Sequence, residues 1–171
     1  MGFEIIVAHD LNQGIGLNNE LPWSCPKDMA YFKSLTIGED GQNNAVIMGR
    51  KTWESIPEKF RPLPKRMNIV LTKSGETFEN ASAASSLDQA LELAKSSDKV
   101  FIIGGAQIYQ EALDHNECKQ IHVTKIFNRF ECDTFFPNYK EQFKCIYASN
   151  IWVSQSVNCG FFRFIKSKSI N

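Results

Sequence analysis

Val46-Ile47-Met48-Gly49-Arg50-Lys51-Thr52 and Phe101-Ile102-Ile103-Gly104-Gly105-Ala106-Gln107 share one outline. In each, an apolar run of strand length stops at glycine, and residues able to open a helix follow. A buried strand that hands its chain straight to a helix is the building unit of a parallel sheet. The spacing therefore predicts helices just after Gly49 and just after Gly105. Working outward, comparable apolar runs occupy residues 3–8, 67–71, 121–126 and 161–165. Pro26 is placed to open a helix reaching about Leu35. Ser86 and Gln89 stand at capping-box spacing ahead of Leu87, Ala90, Leu91 and Ala94, which share one helical face. The last third is strand after strand, so an antiparallel edge is expected there. The expectation is one α/β domain over residues 1–171, with a mostly parallel sheet.

With 171 residues and 43% hydrophobic content, the chain can close a core without disulfides or metals. Lys+Arg and Asp+Glu are equal at 19 each, so no overall field favours nucleic acid or an anionic membrane surface, and neither partner is expected. Cys25, Cys118, Cys132, Cys145 and Cys159 are odd in number and contain no C-x-x-C pair. That usage fits a reduced, cytoplasmic setting. His9, His115 and His122 have no i,i+4 partner of the kind that builds a helical metal site, and no metal is expected.

Three stretches are candidates for chemistry. The two glycine junctions would leave free backbone N–H groups at helix starts, suited to a pair of phosphates, although neither matches G-x-G-x-x-G and glycine as turn punctuation is the ordinary alternative. Arg50 and Lys51, with Thr72, Lys73 and Ser74 after a neighbouring strand, add cations and hydroxyls suited to a phosphate monoester; a solvated surface cluster is the alternative. On a helix opening at Pro26, Asp28 shares a face with Phe32 and Leu35, a costly position for an unpaired carboxylate, though first-turn acids also serve the helix dipole. The third stretch, residues 12–19, is rich in glycine and asparagine and reads as either a plain connection or a lid.

These residues carry a resemblance. Ile15-Gly16, Leu21-Pro22-Trp23 and an acid on a helix with Phe32 are similar to the start of dihydrofolate reductases. The stretch from Val46 to Pro57 resembles that family's longest signature. Residues 61–71, Ile103-Gly104-Gly105 with Tyr109, and Asp133-Thr134-Phe135-Phe136-Pro137 continue it in order. The resemblance implies a central eight-stranded mixed sheet flanked by four helices, a monomer, NADPH as cofactor, and dihydrofolate and antifolate inhibitors as ligands.

It implies the following roles. Asp28 is the single buried carboxylate that holds the pterin, with Leu21 and Trp23 beside it in the catalytic set. Ile6, Val7, Ala8, Met29, Phe32, Ile56, Leu63, Ile103, Tyr109 and Thr124 line the substrate pocket, and Arg66 clamps the carboxylate of the glutamate tail. Ala8, Ile15 and Gly16 meet the nicotinamide. Gly49, Arg50, Lys51 and Thr52, with Gly104, Gly105, Ala106, Gln107 and Ile108, serve the phosphates; Ile103 and Tyr109 belong to this set as well. Leu71, Thr72, Lys73 and Ser74 sit where the family holds the adenosine 2′-phosphate, and the Gly104-Gly105 bond is where it shows a cis peptide. As departures, the acid is Asp rather than the Glu of vertebrate members, Glu58-Lys59-Phe60 lengthens a loop, and Lys65 stands where many bacterial members have glycine. Reductase domains of riboflavin biosynthesis share the architecture but lack the combination of Trp23, Asp28 and Arg66.

Overall fold

Along β1 (Phe3–His9) the side chains alternate between two apolar layers, with Phe3, Ile5 and Val7 in one and Ile6 in the other. β3 (Ala45–Gly49) does the same, setting Ala45 and Ile47 against Val46 and Met48. Strands that are apolar on both faces must be covered on both faces, and helices supply the cover. The computed structural model describes residues 2–154 and 156–168. α3 (Leu87–Leu93) and α4 (Ala106–Asp114) pack on the Ile5 side. α1 (Pro26–Ile37) and α2 (Arg50–Ser55) contribute Phe32, Leu35 and Trp53 to the Ile6 side.

The remaining strands are β2 (Gly14–Gly16), β4 (Met67–Leu71), β5 (Ser82–Ala84), β6 (Val100–Ile102), β7 (Cys118–Ile126), β8 (Thr134–Phe135), β9 (Phe143–Ala148), β10 (Trp152–Val153) and β11 (Asn158–Lys166). The main sheet runs β10-β11-β7-β1-β6-β3-β4-β5, with β9 also paired to β11. The expected eight strand positions are present, and β9 and β10 share the last one along β11. The β1, β3, β4, β5, β6 and β7 ladders are parallel, while β11 is antiparallel to each of its neighbours.

Register explains much of the core. Ile121, Ile5, Ile102, Ile47 and Ile69 lie opposite one another across five strands, all fully buried. Each such side chain contributes about 1.5–3 kcal/mol by leaving water, and β-branching suits it to the pleat.

The helix starts fall where the sequence puts them, and α1 runs two residues past Leu35 before Gly38 ends it at φ 75°. Ser86 Oγ accepts the Gln89 N–H at 3.1 Å. The return bond differs from a standard capping box: Gln89 Oε1 accepts the N–H of Ser85, one residue earlier. From β1 the chain passes outward through β3, β4 and β5, returns as β6 between β1 and β3, then crosses to β7 on the far side of β1. The strand order reverses at β1, and the crevice beyond the carboxyl ends of β1, β6 and β3 is where an open α/β sheet takes ligands.

Candidate active site

Pro26 opens α1, which sets Asp28 in its first turn with the side chain directed into the protein; the residue is only 9% exposed. Burial pushes its carboxyl above the ordinary range, and the Thr124 side chain beside it pulls weakly the other way. Ile6, Phe32, Leu35, Ile56, Leu63 and Ile103 belong to one apolar cluster on this side of the sheet. Trp23 and Cys25 belong to an adjoining cluster, with Ala8 and Phe130 against it. A cleft of about 420 Å³ opens here, lined by Leu21, Trp23, Ser24, Cys25, Pro26, Asp28 and Met29. Leu21 and Met29 are about half exposed, at its mouth. Trp23 Nε1 is buried with no hydrogen-bond partner among the described residues. A desolvated carboxylate and an unsatisfied donor thus sit in the wall of one cleft, a pairing suited to a flat polar heterocycle. Val7 differs from the expectation in one respect: by strand alternation its side chain packs in the opposite layer, so only its backbone lies on the Asp28 side.

Arg66 precedes β4 and is fixed at two points, Nε to the Pro64 carbonyl and Nη1 to Thr36 Oγ1, both at 2.9 Å. Lys65 just before it has a left-handed backbone, φ 62°. Thr36 lies eight residues along α1 from Asp28, a rise of roughly 12 Å. One helix therefore spaces the anion from the cation.

The two glycine junctions converge. The Gly49 N–H donates to the Gly104 carbonyl at 2.8 Å, and a Cβ built on Gly104 would lie 3.3 Å from Thr52 Oγ1. A Cβ on Gly49 would come within 2.9 Å of Ile108 Cδ1, so a larger residue there would require the Ile108 side chain to move. The Gly104-Gly105 peptide is cis. Neither α2 nor α4 has a side-chain cap on its N-terminal N–H groups, and Ala106 and Gln107 open α4 beside them. Tyr109 is buried and donates from its hydroxyl to the Ile6 carbonyl at 2.8 Å, tying α4 to β1. Lys51 and Lys73 are exposed. Arg50 Nη1 and Ser74 Oγ both meet Glu76 Oε1, at 2.7 and 2.9 Å, and Thr72 Oγ1 is 3.2 Å from Ser74 Oγ. This cluster holds an anionic oxygen of its own chain, which shows that its donors converge on one point.

The segment between β1 and α1 is organised rather than loose. Asp10, buried, accepts from the N–H groups of Asn12 and Gly14 on Oδ1, at 2.9 and 2.8 Å, and of Phe130 on Oδ2 at 2.9 Å. β2, which carries Ile15 and Gly16, pairs with β8, and the Asn18 N–H donates to Asp133 Oδ2 at 3.0 Å. The Phe130 ring in turn meets Trp23 at 5.5 Å between centroids. Asp10, Phe130, Thr36 and Glu76 are the site residues that the sequence reading missed. Thr36 was within reach, since residues 28, 32 and 36 follow the i+4 spacing of one face. Asp10, Phe130 and Glu76 carry no local signal, because their partners are distant or lie across a turn.

Two other depressions have no such wall. One of about 460 Å³ lies at the amino ends of β1 and β6 among Asp88, Glu92, Lys95, His115 and Glu117, and one of about 590 Å³ lies outside Arg66 among residues 39–43. Both are mainly polar; the second touches Arg66, but neither shares a lining residue with the Asp28 cleft. Among the described residues no group of three metal-ligating side chains occurs, and no helix is long and apolar enough to cross a membrane.

Comparison with known proteins gives a consistent result. Residues 2–166 match the family described as Dihydrofolate reductase. A Dihydrofolate reductase of Heliothis virescens is 42% identical over 83% of this chain and 83% of its own length. One of Aedes albopictus is 38% identical over 84% of this chain and 83% of its own. A Bifunctional dihydrofolate reductase-thymidylate synthase of Daucus carota is 43% identical over 98% of this chain, which spans about a third (34%) of that longer protein. The chain belongs to the dihydrofolate reductase family.

Proposed function

We propose that the protein reduces 7,8-dihydrofolate to tetrahydrofolate with NADPH, as a cytoplasmic monomer that supplies one-carbon metabolism and thymidylate synthesis. The observation that carries the reading is the desolvated Asp28 carboxylate sharing one cleft with the unpartnered Trp23 N–H. Bound NADPH supplies a hydride for C6 of the pterin. Asp28 receives the ring N–H and amino group of the pterin and fixes its orientation, while the apolar side chains of Ile6, Phe32 and Ile103 keep bulk water away. Trp23 Nε1 holds a water at the cleft, and that water brings the proton for N5. Arg66, already aimed by Thr36 and Pro64, takes the carboxylate of the glutamate tail. Antifolates that present the same donor edge would compete at Asp28.

The chain's residues fit the cofactor. Uncapped N–H groups at α2 and α4 suit the diphosphate, and the donors of Arg50 and Ser74, which already converge on a carboxylate oxygen, with Thr72 beside Ser74, suit the 2′-phosphate. The test is direct: purified protein is mixed with NADPH and dihydrofolate, and the near-ultraviolet absorbance of reduced nicotinamide is followed. Its loss, dependent on both compounds, is expected. No loss with a folded protein that also fails to bind dihydrofolate would remove the assignment.

A further inference from the structure

The Arg50, Thr72 and Ser74 cluster contains an acid that no phosphate-binding role explains. Glu76 Oε1 accepts from Arg50 Nη1 at 2.7 Å and from Ser74 Oγ at 2.9 Å, and Ser74 Oγ is 3.2 Å from Thr72 Oγ1. A left-handed turn at Gly75, φ 69°, returns the chain so that Glu76 reaches back to the residues before it. Arg50 also has Glu54 at 3.5 Å, one helical turn away. These two carboxylates are not equivalent. Glu54 touches Nε alone, whereas Glu76 lies where the guanidinium and the serine hydroxyl meet.

We propose that Glu76 is a specificity-determining residue, an internal anion that competes with the adenosine 2′-phosphate for Arg50 and Ser74 and so narrows the preference for NADPH over NADH. The inference rests on the cofactor reading above. A monoester phosphate needs the same two donors, so it must displace the carboxylate and then stand close to it, like charge against like. NADH carries a hydroxyl at that position and meets neither cost; a carboxylate is itself a suitable acceptor for a ribose hydroxyl. The hydrogen bonds from Arg50 and Ser74 also hold the Glu76 carboxyl below the ordinary range, so the competitor is charged at neutral pH.

The experiment is equilibrium titration of the purified protein with NADPH and with NADH, read by quenching of tryptophan fluorescence, for the unaltered chain, Glu76→Gln and Glu54→Gln. Glu76→Gln should tighten NADPH by roughly three- to tenfold, the range expected of a solvent-exposed charge a few ångströms from a phosphate, and leave NADH within about twofold. Glu54→Gln removes an equal charge from the same guanidinium and should change NADPH clearly less. Adenosine 2′,5′-bisphosphate should follow NADPH. Equal effects of the two variants, or a Glu76→Gln change shared by both cofactors, or none, would overturn the proposal while leaving the cofactor reading intact if the unaltered chain prefers NADPH. Failure of every variant to bind either cofactor would overturn both.

Discussion

Arg66 Nη1 donates to Thr36 Oγ1 at 2.9 Å, and Thr36 Oγ1 donates in turn to the Phe32 carbonyl at 2.7 Å, so the cation is fastened to the last turn of the helix whose first turn carries Asp28. The helix acts as a ruler between the two charged groups. Arg66→Ala should raise the KM for dihydrofolate by on the order of a hundredfold, the loss of a charge-assisted fork, with kcat within a few fold. Affinity for a pterin that lacks the glutamate tail should not change. Steady-state kinetics with both substrates checks this, and equal losses on both would contradict the assignment. Thr36→Val should give a weaker version of the same pattern.

Burial raises the Asp28 carboxyl above its unfolded value, so folding binds the protonated form better. The stability this group contributes is complete below the unfolded carboxyl range and is lost as pH rises through the higher folded value. As pH rises above the unfolded range, burial therefore works against the ionised carboxylate, with only the Thr124 side chain to offset it. Asp28→Asn should raise the melting temperature at neutral pH, with the difference closing in acid. Calorimetry across that window is the check, and a variant less stable at neutral pH would contradict the burial argument.

Lys65 adopts φ 62°, a left-handed conformation that costs an L side chain energy and glycine none. Its side chain is exposed and has no role in the cleft. Lys65→Gly should stabilise the protein by about 0.5–1 kcal/mol, the remainder after glycine's greater unfolded-state freedom is subtracted. Chemical denaturation measures it; a destabilised variant would mean that the turn is held by something other than this dihedral.

These cases show what the sequence could and could not announce. The strands that carry the isoleucine row and the two glycine junctions were readable because an apolar run and a helix start are local properties, whereas the register that aligns the row is not. Asp28 was readable as a carboxylate on an apolar stripe, and its roles came from the family resemblance. β2, β5, β8 and β10 were not, since two or three residues are too few to show a period. β9 was missed for another reason: only Phe143 in it is buried, so its alternation is blurred. The left-handed turn at Lys65 was signalled only through the family resemblance, in which glycine often holds that place, because lysine itself does not mark such turns. Glu76 was invisible because its partners are set by how a surface turn closes.

Asp10 ties the segment carrying Ile15 and Gly16 to the one carrying Phe130 through three backbone N–H groups. Asp10→Ala would leave those donors without their partner, and the buried Gly14 N–H among them at about 1–3 kcal/mol. The variant should lose stability and slow hydride transfer by about tenfold or more, since a misplacement of 1 Å can cost a hundredfold. Dihydrofolate affinity, which the proposed reading assigns to Asp28 and Arg66, should change much less. Single-turnover kinetics beside ligand titration separates the two effects, and an unchanged hydride-transfer rate would show the segment to be held otherwise.

On the proposed mechanism one buried carboxylate orients and polarises the pterin while water supplies the proton. Its most direct test is the pH dependence of the single-turnover rate of dihydrofolate reduction in the unaltered protein and in Asp28→Asn. The expected variant is slower by on the order of a hundredfold or more near neutral pH, within the range for a general acid–base group, and recovers much of its rate in acid, where dihydrofolate arrives already protonated. A variant as fast as the unaltered protein at neutral pH would contradict that mechanism.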